Sequence, residues 1–160
     1  MFRVGFGFDA HKFSEGKQLI LGGVEIPFES GLTGHSDADV LTHAICDALL
    51  GAMGEGDIGA HFPDSDPKYK GISSMVFLSD ILKLLKERRY QIQNIDSVIV
   101  CEKPKILPHV PAIKTKLSRI TGIPERDLGI KATTTDRMGF TGRGEGIASY
   151  AVALINSYSN

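Results

Sequence analysis

Cysteine is scarce: the sequence has only Cys46 and Cys101, too few for a disulfide framework. Neither sits in a CxxC pair, which excludes a zinc ribbon, and both are expected to be small buried hydrophobes. No apolar run approaches the length of a membrane span. The N-terminus has no basic segment followed by an apolar one, so it does not read as a secretory signal. A reducing, cytoplasmic compartment is the expectation. Acidic and basic residues nearly balance, at a formal net charge of -1, so no overall field draws the chain to nucleic acid or to an anionic membrane. No GK[ST] triplet follows a glycine-rich segment, which excludes a P-loop. "GFGFD" lacks the GxGxxG spacing that opens a dinucleotide-binding helix. Low-complexity segments, repeats and linkers are also missing, and the 160 residues fit one domain over 1–160.

What remains is a succession of short elements joined by glycine-rich turns. Apolar and β-branched content predicts strands over 2–11, 17–27, 92–104, 127–136 and 146–157. Helical spacing of Val40, Leu41, Ala44, Ile45, Ala48, Leu49, Ala52 and Met53 predicts a helix over 36–54. Ser36 or Asp37 is placed to cap its start and Gly54 its end. Further helices are predicted over 73–90 and 109–122, with a long loop over 55–71 between the first two. The expected class is α+β: a single domain with one mixed β-sheet covered on one face by helices.

Three clusters carry chemistry. In "GFDAHKF" (7–13), strand alternation points Asp9 and His11 to the same side. On the helix, Asp39, His43 and Asp47 are spaced i, i+4, i+8 and share a face. His43 would then lie between two carboxylates able to take its second ring N–H. A polar stripe on an amphipathic helix explains that spacing equally well. Together with Asp9 and His11, however, His43 completes three ligands suited to Zn²⁺, with a fourth position left for substrate. The second cluster, "TGHSDAD" (33–39), sets His35 and Ser36 at a helix start, where an anion such as phosphate or a plain capping turn would fit. The third, "ATTTDRMGFTGRGEG" (132–146), gathers hydroxyls, arginine and glycine amides, the groups that hold phosphoryl oxygens. It also reads as an ordinary glycine-rich hairpin. Asp57, Asp64 and Asp66 in the long loop suit sugar hydroxyls, a second metal, or turn formation.

"GFDAH", "LTGHSDADVLTHAICDALLGA", "GDIGAHFPDSDPKYKG", "KPKILPH" and "ATTTDRMGFTGRGEGIA", in that order, resemble the 2-C-methyl-D-erythritol 2,4-cyclodiphosphate synthase family over essentially the whole chain. The resemblance implies a lyase of the methylerythritol phosphate route to isoprenoids. Such an enzyme converts 4-diphosphocytidyl-2-C-methyl-D-erythritol 2-phosphate to the cyclic diphosphate and CMP. It implies Zn²⁺ on Asp9, His11 and His43. A second ion, Mg²⁺ or Mn²⁺, is implied on Asp136, where many relatives have the longer glutamate. His35 and Thr134 match the positions that stabilise the transition state. Ser36 would support the phosphate.

The resemblance also divides the substrate pocket. Asp57, Ile58 and Gly59 would line its nucleotide and polyol side. Phe62, Pro63, Asp64, Ser65 and Asp66 would form the mobile loop over the methylerythritol group. Cys101, Glu102, Lys103, Pro104, Lys105, Ile106 and Leu107 would form the cytosine pocket. Thr133, Thr135, Phe140 and Arg143 would complete the site. The implied assembly is a homotrimer with sites between subunits, and an arginine at the position of Arg143 faces an isoprenoid diphosphate in the central cavity of relatives. The implied location is bacterial cytoplasm, or a plastid-type organelle after loss of a leader. A stand-alone enzyme rather than a fusion to the preceding cytidylyltransferase is expected. A zinc-dependent phosphohydrolase and a non-catalytic metal-binding trimer remain alternatives at this point.

Overall fold

The computed structural model describes residues 1–158; the last two residues of the expected domain lie outside the described residues. The spine of the fold is β1 (Phe2–Glu15), whose side chains alternate between two environments. Phe2, Val4, Phe6 and Phe8 are exposed on one face. Gly5, Gly7, Asp9 and His11 occupy the other, toward α1 (Val40–Met53). β1 pairs antiparallel with β7 (Gly146–Ser157) and, at its far end, with β4 (Ser30–Leu32). β7 pairs antiparallel with β5 (Tyr90–Val100), which runs parallel to β6 (Leu128–Thr133). The sheet order is β4-β1-β7-β5-β6. It is mixed, as expected.

α1 lies on β1 and β7, α3 (Ser74–Glu87) packs against α1 and β5, and α4 (Val110–Thr121) packs against α3 and β6. These helices form one layer, and the core lies between it and the sheet. The closeness of α1 to β1 comes from paired small residues. A side chain at Gly7 would run into the Ala44 carbonyl oxygen, and one at Gly5 into the Ala48 carbonyl oxygen. Ala44, Ala48 and Ala52 form the matching row on α1, all buried. Glycine on the strand and alanine on the helix bring the two backbones into contact. Asp9 and His11, next along the same strand face, therefore lie beside the first turns of α1.

Several boundaries differ from the sequence reading. Residues 17–27 are not one strand but a hairpin, β2 (Leu19–Leu21) with β3 (Val24–Ile26). Gly22 and Gly23 make its turn with φ of 59° and 72°, a left-handed conformation that glycine adopts without strain. α1 starts at Val40, capped by Asp39 rather than by Ser36 or Asp37, and ends at Gly54 with φ 79°. Two short turns of helix, α2 (Ile58–His61) and α5 (Gly139–Gly142), fall in segments read as loop and hairpin. Cys46 and Cys101 are both free and buried. Burial pushes the Cys101 thiol up to about 11, so it stays protonated at neutral pH. No helix among the described residues is long and apolar enough to cross a membrane.

Candidate metal centre

β1 delivers Asp9 and His11, and the first turn of α1 delivers His43. Asp9 Oδ2 lies 2.9 Å from both His11 Nε2 and His43 Nδ1, and the two nitrogens are 3.2 Å apart. These three form the one group of metal-ligating side chains found together among the described residues. Hydrogen bonds behind the rings decide which nitrogen carries a proton. His11 Nδ1 donates to the Thr33 carbonyl at 2.8 Å, because a carbonyl can only accept. That leaves His11 Nε2 as the ring nitrogen that faces Asp9. His43 Nε2 faces Ser74 Oγ at 2.7 Å and Ser36 Oγ at 3.1 Å. A carboxylate oxygen and ring nitrogens converging this closely repel one another unless a cation sits among them. A divalent ion fits that requirement, and in its absence protons do.

The electrostatics of the site agree. Burial alone would raise Asp9, but hydrogen bonds from His11 and His43 outweigh it and hold the carboxyl far below its usual range. Burial alone would lower His11, but its hydrogen bond to Asp9 prevails and raises it. A metal ion entering this site must displace a proton from His11, so its affinity falls as pH drops below the raised value of that ring.

Asp39 and Asp47 do not stand behind His43, contrary to their helical spacing. Asp39 precedes the helix, and as its cap it accepts from the Thr42 N–H and hydroxyl and from Gly22 and Gly23 N–H. It pins the β2–β3 turn to α1. Asp47 is one turn further on and accepts from the Ile58 N–H at 2.8 Å, fixing the start of α2. Burial raises both carboxyls. The positions expected of them are filled by Thr33, Ser36 and Ser74. In the sequence, Ser74 is legible only as part of the helix predicted over 73–90.

The three ligands line a cavity of about 240 Å³ together with His35, Ser36, Asp47, Ile58, Gly59, Phe62 and Asp64. His35 Nε2 sits 3.4 Å from the Asp66 carbonyl. Phe62 stacks on Phe77 with ring centroids 4.6 Å apart, and Tyr69 meets both rings edge-on. That aromatic cluster ties the 55–71 segment to α3. Asp57 caps α2 through the Ala60 N–H, and Asp66 pairs with Lys68. Pro63 and Ser65 are exposed on the same segment.

The remaining predicted residues do not line this cavity. Cys101, Glu102, Pro104, Lys105, Ile106, Leu107, Thr133 and Thr134 line a separate hollow of about 260 Å³ at the ends of β5 and β6. Lys103 and Arg143 line a third, of about 690 Å³, with Phe13 and Arg137. Phe140 borders a fourth beside His11 and Lys12. Asp136 and Arg137 both have positive φ, 51° and 65°. Glu102 Oε1 accepts from the Thr135 and Arg137 N–H groups on either side of Asp136.

A family model described as the YgbB family matches residues 2–156. The chain belongs to the YgbB family. Among similar proteins, the 2-C-methyl-D-erythritol 2,4-cyclodiphosphate synthase of Halalkalibacterium halodurans is 56% identical over 155 residues, 97% of this chain and 99% of that one. The protein of the same name from Caldicellulosiruptor bescii is 58% identical over 155 residues, again 97% and 99%. Of solved structures, a CDP-bound 2C-methyl-D-erythritol-2,4-cyclodiphosphate synthase superposes with a TM-score of 0.89 at 36% identity, covering 96% of this chain and all of the other. The bifunctional IspDF of Campylobacter jejuni gives 0.95 at 37% identity, with 99% of this chain matching 43% of that one. The mixed sheet with one helical layer is thus the fold shared with these solved structures.

Proposed function

We propose that the chain is a 2-C-methyl-D-erythritol 2,4-cyclodiphosphate synthase of the methylerythritol phosphate pathway, acting on 4-diphosphocytidyl-2-C-methyl-D-erythritol 2-phosphate. The observation that carries this reading is the convergence of Asp9, His11 and His43 in a cavity shared with His35 and Ser36, in a member of the YgbB family. Zinc is the favoured ion, because one carboxylate and two imidazoles with an open fourth position are its usual open-site donors. Their 2.9–3.2 Å separations also approach the roughly 3.3 Å edge of a tetrahedron with bonds of about 2.0–2.1 Å. When bound there, the ion supplies Lewis-acid polarisation of a phosphate oxygen.

In the reaction, an oxygen of the substrate's 2-phosphate forms a bond to the β-phosphorus. The bond from that phosphorus to the oxygen bridging to CMP breaks, and CMP leaves with the electron pair. The protein supplies no nucleophile; it positions the phosphates and neutralises their charge. His35 and Ser36 direct hydrogen-bond donors into the cavity, and Thr134 supplies a third from the 132–146 segment. Asp64 meets the polyol hydroxyls, and the backbone around Ile58 and Gly59 borders the polyol and ribose. The hollow from Cys101 to Leu107 takes cytosine, with Lys105 toward the ribose and phosphates. Asp136 would hold Mg²⁺ or Mn²⁺, which would supply further charge neutralisation to the substrate's phosphates. The CDP held by a solved relative is in keeping with a cytidine diphosphate ligand. The buried free thiols suit a reducing cytoplasm.

The metal cavity and the 101–107 hollow share no lining residue on one chain, which favours sites completed between copies in a homotrimer. The exposed row Phe2, Val4, Phe6 and Phe8, at 45–68% exposure, joins Tyr150 and Val152 of β7 in one apolar sheet face. A face of that kind marks an interface. Phe6→Glu should dissociate the trimer to monomer in sedimentation, with loss of turnover but retention of the fold by circular dichroism; a variant that stays trimeric contradicts this assembly.

The test of function is incubation with the diphosphocytidyl substrate, followed by phosphorus NMR. The expected result is one CMP per cyclic diphosphate, abolished by a chelator and restored by zinc with magnesium. Release of inorganic phosphate or of an open monophosphate, without a cyclic product, would identify a phosphohydrolase instead.

A further inference from the structure

The direction of one hydrogen-bond chain assigns a role to two residues outside the metal cavity's ligand set. Asp37 lies in the turn before α1, and Ser74 is the first residue of α3. Ser74 is fully buried. Its hydroxyl has a single proton and two lone pairs. Asp37 Oδ1 lies in very short contact with Ser74 Oγ, and Oδ2 accepts the Ser74 N–H at 3.0 Å. Oδ1 also accepts the Asp39 N–H at 3.2 Å. A carboxylate surrounded by donors accepts from all of them, so the Ser74 proton points at Asp37. Only lone pairs of Ser74 Oγ then remain for His43 Nε2, 2.7 Å away. The proton on that bond belongs to the ring, so Nδ1 is the bare nitrogen of the neutral ring, and it is Nδ1 that faces Asp9 and His11.

We propose that Asp37 and Ser74 are positioning residues that hold His43 as its Nε2–H form, presenting Nδ1 to the divalent ion. The inference rests on the metal site proposed above. It does for His43 what the Thr33 carbonyl does for His11. An outer partner of this kind fixes ring orientation and raises ligand basicity. Because Asp37 sits 37 residues from Ser74 in sequence, the chain also locks the start of α3 to the turn that introduces α1. The ligand on α1 and its support on α3 are thereby set by the same carboxylate.

Two variants separate this role from plain packing. Ser74→Ala removes the acceptor. Asp37→Asn keeps the shape but reverses one end of the chain. If the amide nitrogen faces Ser74 Oγ, the hydroxyl must donate to His43 Nε2 and favour the wrong ring form. If it faces the Ser74 N–H instead, two donors oppose each other. Zinc affinity is measured by competition with a chromophoric chelator, on protein whose chelated form melts cooperatively. Ser74→Ala should weaken zinc binding by about 10–100-fold and Asp37→Asn by at least about tenfold. In zinc-loaded wild type, a slowly exchanging His43 Nε2–H signal should appear downfield in nitrogen-resolved proton spectra and disappear in Ser74→Ala. If Ser74→Ala fails to fold, Asp37→Asn decides alone. A folded variant with wild-type zinc affinity overturns the proposal, as does a zinc-loaded wild type protonated on Nδ1 of His43. Wild type that takes up no zinc fails earlier, at the metal site itself, and takes this inference with it.

Discussion

Gly7→Val should be among the most damaging single substitutions in the chain, costing about 3 kcal/mol or more and lowering zinc affinity with it. A Cβ at Gly7 would overlap the Ala44 carbonyl oxygen and crowd the Ala48 nitrogen. Both are backbone atoms of a buried helix, so no rotamer change relieves the clash. Either α1 lifts from β1 or β1 bends away from β7. Both movements separate His43 from Asp9 and His11, whose shared 2.9 Å contacts depend on that close approach. Gly51→Ala, on the same helix, is the matched control. Its Cβ would meet nothing nearer than 3.8 Å, and alanine is the better helix former by up to about 1 kcal/mol. Urea unfolding of the chelated proteins should therefore show Gly7→Val strongly destabilised and Gly51→Ala unchanged or slightly more stable. Equal midpoints for Gly7→Val and wild type would mean that the helix does not rest on the strand backbone.

His43→Ala should abolish stoichiometric zinc and, with it, turnover. The substitution removes one of three converging donors, so the loss should exceed the roughly 10–100-fold that an outer partner costs. It also leaves Ser74 and Asp37 without the ring they orient. The fold should survive, because His43 lies at the cavity edge rather than against the glycine seam. Metal analysis after dialysis and a calorimetric zinc titration are the measurements. A variant with full zinc content and activity would show that the ligand assignment is wrong. In wild type the zinc dissociation constant should weaken as pH falls through the histidine range, since Asp9 makes His11 hold its proton more strongly.

The parts of this architecture that were legible in the sequence are those set by local periodicity. Alternation in "FRVGFGFDAH" placed Asp9 and His11 on one side, and helical spacing placed His43 on α1. The long family motifs joined the two. The missed parts depend on contacts between segments far apart in the chain. Asp39 has the spacing of a helical residue but the backbone of a cap, and its partners Gly22 and Gly23 lie 16–17 residues earlier. Ser74 follows another serine at a helix start, and either could have been the cap. Ser73 caps, while Ser74 turns inward to His43. Gly22-Gly23 between apolar runs is a hairpin signal in the sequence, but with both flanks β-like the same stretch also reads as one strand. That Gly5 and Gly7 set the depth of helix packing could not be read from β1 alone, since it needs the alanine row of α1 as its counterpart.

The central claim is that Asp9, His11 and His43 share one divalent ion, and anomalous scattering at the zinc edge from crystals grown with zinc tests it most directly. A single strong peak is expected about 2.0–2.2 Å from an Asp9 carboxylate oxygen, His11 Nε2 and His43 Nδ1. A peak bound through His11 Nδ1 or His43 Nε2, or no peak between these three residues at full zinc loading, would contradict it.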